Sequence, residues 1–169
     1  MLALRAAALH RLYHDWMDRR GDREFPSRSD FDPYALKYVL GNLALIDVLY
    51  DPLRFRFRLH PTNMVFRLGV DLTGKFIDEM ADQRHVLLAK EQFTEVVETR
   101  RPVVQSHHAV ETDHRVWNCE ILVLPLSSEG SRIDMLMGCV IWDEVDPIRP
   151  SLSGIGGSQR DGAIESSGG

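Results

Sequence analysis

The sequence predicts an α+β protein: a five-stranded antiparallel sheet with helices gathered between strands two and three, preceded by an N-terminal amphipathic helix. Three observations carry that prediction. Residues 54–59, Arg-Phe-Arg-Phe-Arg-Leu, alternate strictly between charged and apolar, the period of a half-buried strand. Residues 82–99 place Val86, Leu87, Phe93, Val96 and Val97 along one side of a long helix that Pro102 stops. Strand-like apolar segments lie on both sides of that helical region, two before it and three after it.

The elements follow in order. In residues 2–20, Leu9, Leu12, Tyr13 and Trp16 recur at i, i+3, i+4, i+7 and share one helical face, with Arg11, Asp15, Asp18 and Arg19 opposite and Gly21 as the stop. Asp32-Pro33 reads as an N-cap and first-turn proline opening a short helix through Leu40, which Gly41-Asn42 ends. Residues 43–50 form the first strand, Asp51-Pro52 turns the chain, and 54–59 is the second strand. A broken helical region covers 62–69 and again 75–80, before the long helix. The last three strands are 103–111, 115–125 and 134–142, the final two joined by a turn in which Gly130 is free to take positive φ. The last strand is apolar on both faces, so something must cover the back of the sheet, either the N-terminal helix or a second copy. Residues 146–169 hold half of the 12 glycines and read as a disordered tail. The expected divisions are therefore an N-terminal helix over 1–22, the domain over 23–145 and the tail over 146–169.

Composition narrows the function. The chain has 169 residues, the size of one domain, with 20 basic and 25 acidic residues and a net charge of −5. It offers no basic face for a phosphate backbone, so nucleic acid is not an expected partner. No apolar run approaches the ~18 residues of a membrane span, and the start is too short and too charged for a secretory segment. Two cysteines in apolar segments, Cys119 and Cys139, read as small core residues of a reduced, cytoplasmic chain.

Several segments, taken as an ordered set, carry a family resemblance. These are residues 26–33 (Pro-Ser-Arg-Ser-Asp-Phe-Asp-Pro), 54–59, 69–74 (Gly-Val-Asp-Leu-Thr-Gly), 124–130 (Leu-Pro-Leu-Ser-Ser-Glu-Gly) and 133–138 (Ile-Asp-Met-Leu-Met-Gly). Together they resemble the PAS_5 family, small bacterial and mainly alphaproteobacterial proteins with a PAS-like domain, over about residues 10–143. One departure is His60-Pro61-Thr62, where the family commonly has a glycine before the threonine. The resemblance implies a PAS fold and a sensing or signalling role, with a pocket between the inner sheet face and the intervening helices. By that analogy Phe55, Phe57, Leu59, Phe66 and Phe76 face the pocket, with His107 and Met137 as further candidates. A solid core built from the same side chains is the alternative.

Alternation in 115–125 groups Trp117, Cys119, Ile121 and Val123 against Val116, Asn118, Glu120 and Leu122. Both sets are mixed, so either could face the pocket. Glu120 is a polar anchor for a ligand if inward, or forms an ion pair with an arginine such as Arg56 or Arg58 if outward. The segment 107–114, His-His-Ala-Val-Glu-Thr-Asp-His, has metal-ligand residue types, but adjacent strand residues point to opposite faces; His10 and His14 lie at i, i+4 without an obvious third ligand. No metal is expected at either. His85 occupies the helix on which haem-binding PAS domains place their axial ligand, and the Asn-Cys-Arg run of flavin photosensors is missing; neither cofactor is expected. Catalytic templates are also missing: no Gly-x-Ser-x-Gly, no phosphate-binding loop and no His-Glu-x-x-His.

The leading expectation is a stand-alone sensory or regulatory module that binds a small molecule, a protein partner, or both. No kinase, cyclase or helix-turn-helix segment fits in the remaining residues, so output is expected through a partner or a homodimer. In the latter, Leu9, Leu12, Tyr13 and Trp16 serve as the interface or as intramolecular cover. The alternative is a ligand-free interaction adaptor. A third reading, an enzyme using Glu120 or His107 as base, requires Glu120 inside the cavity.

Overall fold

The computed structural model of the chain describes residues 2–110 and 116–145. The elements are α1 (Ala7–Arg20), β1 (Leu43–Leu49), β2 (Arg54–Leu59), α2 (Thr62–Leu68), α3 (Gln83–Thr99), β3 (Val103–Val110), β4 (Val116–Leu126) and β5 (Met135–Val145). The strands form one sheet in the order β2-β1-β5-β4-β3, every pairing antiparallel. This is the expected α+β architecture. The expected tail lies outside the described residues.

Helix α1 answers the question of what covers the sheet. Leu9 and Leu12 are fully buried and Trp16 is 3% exposed. The Trp16 indole Nε1 donates to the Pro125 carbonyl at 2.9 Å, fastening the helix to β4. Basic Arg19 and Arg20 in the last turn suit the negative end of the helix dipole. The other end has no acidic residue in its first turn, and Ala6 at the N-cap offers no side-chain acceptor. The missing acceptor comes from the sheet. Glu120, 4% exposed on β4, takes the Arg5 amide at 2.9 and 3.1 Å and the Ala6 amide at 2.8 Å. A buried carboxylate thus finds hydrogen-bond donors, and a helix start finds its cap. Leu122, Leu124 and Leu126 follow Glu120 at period two on the same face and are fully buried.

Residues 33–39 are turns rather than the expected helix, followed by a 3₁₀ segment at Leu40–Asn42. Asp32 does accept from the Tyr34 amide at 2.9 Å, but the backbone bonds that follow run three residues apart, as from Leu36 to Pro33 and Val39 to Leu36. Leu36 and Val39, both buried, sit at that same spacing and join the core.

At the other edge, β1 and β2 pair with a register shift: Ile46 faces Phe57, yet Leu45 faces Leu59. Arg58 is the extra residue of a bulge, and beyond it the side chains of β2 change faces. Arg58 and Arg56 both bind the buried Asp47, at 2.7 and 2.9 Å. The outer edge of β2 does not stay open. Residues 74–76 lie along it, with the Phe57 amide donating to the Lys75 carbonyl and the Gly74 amide to the Phe57 carbonyl, at 2.9 and 2.7 Å. Edge strand β3 pairs with β4 alone among the described residues.

Helices α2 and α3 lie on the opposite side of the sheet from α1. Gly69 ends α2 at φ 69°, where a side chain would be strained. Asp82 caps α3 by accepting from the Arg84 and His85 amides. Buried Gln92 donates from Nε2 to the Ile121 carbonyl at 3.3 Å, tying α3 to β4.

Replacing Glu120 by alanine is expected to destabilise the fold by about 2–3 kcal/mol, and by glutamine about half as much, because donors at a helix start lose a charged acceptor. Urea unfolding measures both. A Glu120→Ala variant within experimental error of the parent would show that α1 docks without this carboxylate.

Candidate functional site

Between the inner sheet face and the helices α2 and α3 lies a cavity of about 330 Å³. Its sheet wall includes Ala44, Ile46, Phe57, Ile121, Val123 and Val140, and its helix wall includes Met64, Leu88 and Phe93. This is an apolar chamber of the size at the lower end of small-molecule sites. Gly138 faces it from β5, and a methyl group there would meet Ala44 Cβ and Ile46 Cδ1 at 3.5 Å, so the glycine leaves open space rather than relieving a clash.

Of the residues expected at the pocket, Phe57, Cys119 and His107 line it. The ambiguity in β4 is thereby resolved: Cys119, Ile121 and Val123 are the inward set. Other expected positions lie elsewhere. Phe55 is buried against the edge of Phe93, ring centres 5.4 Å apart, behind the cavity wall. Leu59 is 40% exposed because the bulge at Arg58 turns it to the outer face. Phe66 is 93% exposed on the outside of α2. Phe76 lies under the Arg54 guanidinium, 3.7 Å from ring centre to cation, at the outer edge of β2. Met137 is fully buried on the other side of the sheet, since Gly138 and Val140 take the inner positions of β5. Glu120 also faces away from the cavity; it accepts from the Arg5 and Ala6 amides, and the arginine it pairs with is Arg5, at 3.8 Å, rather than Arg56 or Arg58, which bind Asp47. The side chain of Trp117 lies outside the described residues.

The expected interface stripe is likewise turned inward. Leu9, Leu12 and Trp16 are buried against the protein's own sheet and are unavailable to a partner while α1 stays docked. Tyr13, half-buried, stacks on Trp16 and lines a separate open groove of about 500 Å³ with Met17 and Arg20.

Among the described residues, no three His, Cys, Asp or Glu side chains come together as a metal site. The ring of His10 is engaged by the Leu4 carbonyl at 2.7 Å. Residues 111–115 and the side chain of His108 lie outside the described residues. His85 stands at the cavity rim with Nδ1 2.8 Å from Asp82.

Residues 4–141 match the family model PAS_5, a PAS domain. The chain belongs to the PAS_5 family. No curated protein matches it. Similar solved structures include a light-oxygen-voltage domain studied with a flavin analogue: 14% identity, 67% of this chain and 84% of that one covered, TM-score 0.47. A sensory box sensor histidine kinase from Vibrio cholerae shares 20% identity over 61% of this chain and 83% of its own, TM-score 0.45. The PAS domain of a protein from Colwellia psychrerythraea shares 12% identity over 67% and 92%, TM-score 0.42.

This PAS domain has polar atoms in its cavity wall that sequence reasoning missed. His60 is 5% exposed, and its Nδ1 has no hydrogen-bond partner. Trp142 Nε1, on β5, is also buried and unpartnered. His60 was hidden by the bulge: strict alternation from Phe57 puts residue 60 outside, and the extra residue puts it inside. Continuing the alternation of β5 from Gly138 through Val140 was the signal that could have found Trp142. Leaving such groups unpaired in an apolar wall is unfavourable unless something else binds them. Burial pushes the Cys119 thiol up, and pushes that of Cys139, on the opposite face, to about 12, so both stay protonated.

Burial also holds the His60 imidazole below its ordinary value, with the Asp71 charge opposing more weakly. The unfolded chain therefore binds the proton more readily. The stability associated with neutral His60 is complete above about pH 6.5 and is lost as pH falls, by at most about 1.4 kcal/mol per pH unit. Urea unfolding from pH 7.5 to 5.5 is expected to fall more steeply for the parent than for His60→Gln. Parallel curves would show that His60 protonates as freely in the fold as in the unfolded chain.

Proposed function

We propose that this PAS domain is a sensory module whose cavity binds a small molecule and whose occupancy is reported through α1. At the general level of the family, a sensory role is what a PAS domain provides. The observation that carries the finer reading is the cavity itself: about 330 Å³ of apolar space with two unpartnered polar nitrogens in its wall. A core that served only for stability would gain by filling that space.

Strand β4 supplies the connection. Cys119 touches the cavity, and the next residue, Glu120, holds the start of α1 from the other face. A ligand that prefers one position of β4 shifts the strength of that grip, which is the differential affinity that any such signal requires. Released or reoriented, α1 exposes Leu9, Leu12 and Trp16 to a partner protein or a second copy. The module is read as non-catalytic, since Glu120, the carboxylate that an enzyme reading needs inside the cavity, faces away from it and is committed to α1.

Native mass spectrometry of freshly purified protein is expected to show a stoichiometric extra mass that is lost in Gly138→Val and in Ala89→Leu, two fillings from opposite walls. Bound protein is expected to differ from these variants in hydrogen exchange at the Arg5 and Ala6 amides. A clean apo mass, with exchange at those amides unchanged by either filling, would favour the ligand-free adaptor instead.

A further inference from the structure

We propose that the cavity takes an uncharged, mainly apolar molecule carrying a hydrogen-bonding oxygen, hydroxyl or carbonyl, placed at its α2 end against Trp142 Nε1 and His60 Nδ1. The inference rests on the ligand-binding reading above and adds the chemistry of the ligand.

The topology brings the two nitrogens to one end. Leu43, the first residue of β1, faces Cys139 in β5, and Trp142 lies three residues beyond Cys139. His60 follows Leu59, which pairs with Leu45, so it too lies off that end of the sheet. Helix α2 starts at Thr62, directly after His60 and Pro61, and its Arg67 guanidinium lies 4.5 Å over the Trp142 ring. Away from this end, Phe93, Leu88, Ile121 and Val123 offer hydrocarbon, and the Gln92 amide beside them already donates to the Ile121 carbonyl. The site therefore asks for an apolar body and a polar head.

The donors fix the head. An indole nitrogen only donates, so its partner must accept. A neutral imidazole Nδ1 donates in one tautomer and accepts in the other, and a hydroxyl satisfies both cases while a carbonyl satisfies the first. The charge of the ligand follows from what the cavity lacks. Asp82, Arg84 and His85 are exposed side chains at the start of α3, and the buried polar residues of the wall, His60 and Gln92, are not charged partners. Burial favours neutral His60, and the Arg67 guanidinium over the Trp142 ring is not among the residues that line the cavity, so no buried cation of the lining stands beside a carboxylate there.

The test is calorimetric titration of the full chain with three probes of one shape: 2-naphthol, naphthalene and 2-naphthoate. Naphthol is expected to bind about 10-fold more tightly than either of the others, the margin of about one good hydrogen bond. Trp142→Phe, which keeps the aromatic bulk, and His60→Leu are each expected to weaken naphthol about 5–10-fold and leave naphthalene unchanged. If His60→Leu does not fold by circular dichroism, Trp142→Phe decides alone. Equal binding of naphthol and naphthalene, both lost in Gly138→Val, would overturn the polar-head assignment and leave the cavity reading standing. Tightest binding of naphthoate would overturn the uncharged assignment. Binding of none of the three would overturn this inference, and the mass measurement on retained ligand then decides the cavity reading separately.

Discussion

A buried carboxylate against two backbone amides sets the plan of this molecule. Glu120 is enclosed by apolar neighbours on β4, and a charge in that position is tolerable only when donors surround it. The amides of Arg5 and Ala6 are those donors, and α1 begins where they are satisfied. Once the start of α1 is fixed, its apolar stripe falls on the back of β4 and β5, and the indole of Trp16 closes the far end on the Pro125 carbonyl. With the back of the sheet covered by its own helix, the front is left to α2 and α3, and those two helices do not fill it. The cavity thus follows from a division of labour across one sheet, with a single strand facing both ways.

The second constraint is the bulge at Arg58. It does two things at once. It frees two arginines to converge on Asp47 at the outer face, and it rotates His60 inward just before α2 begins. The tripeptide His60-Pro61-Thr62 falls at this point. A change in that tripeptide therefore alters the cavity wall and not merely a loop.

Much of the fold was legible in the chain because local patterns and tertiary demands agree. The strand at 54–59, with Phe55 and Phe57 inward, the helical stripe of Leu9, Leu12 and Trp16, and Gly130 at positive φ in the last turn each formed as the local pattern predicted. The site was less legible. The two faces of β4 are both mixed, one with Cys119 and Ile121, the other with Glu120 and Leu122, so hydrophobicity could not say which was inner. What decided it lay more than 100 residues away in sequence, the Arg5 and Ala6 amides together with the Arg5 guanidinium, and amides carry no sequence signature. Phe66 shows the converse: an aromatic residue on a short helix read as pocket wall, yet one turn of α2 leaves it almost fully exposed. Leu59 was misplaced and His60 was overlooked for a single reason, since one inserted residue inverts every assignment after it.

The strip of chain at residues 74–76 has a consequence for assembly. It occupies the hydrogen-bonding side of β2 at Phe57, while β3 has only β4 beside it among the described residues. A sheet with two open edges can add copies at both and grow into a fibre, whereas a sheet with one can join another once and then stops. Edge-to-edge contact between copies of this protein through β3 therefore ends at a pair. The same short segment that rounds off the domain thus leaves β2 without a free hydrogen-bonding edge at Phe57 for a further copy to join.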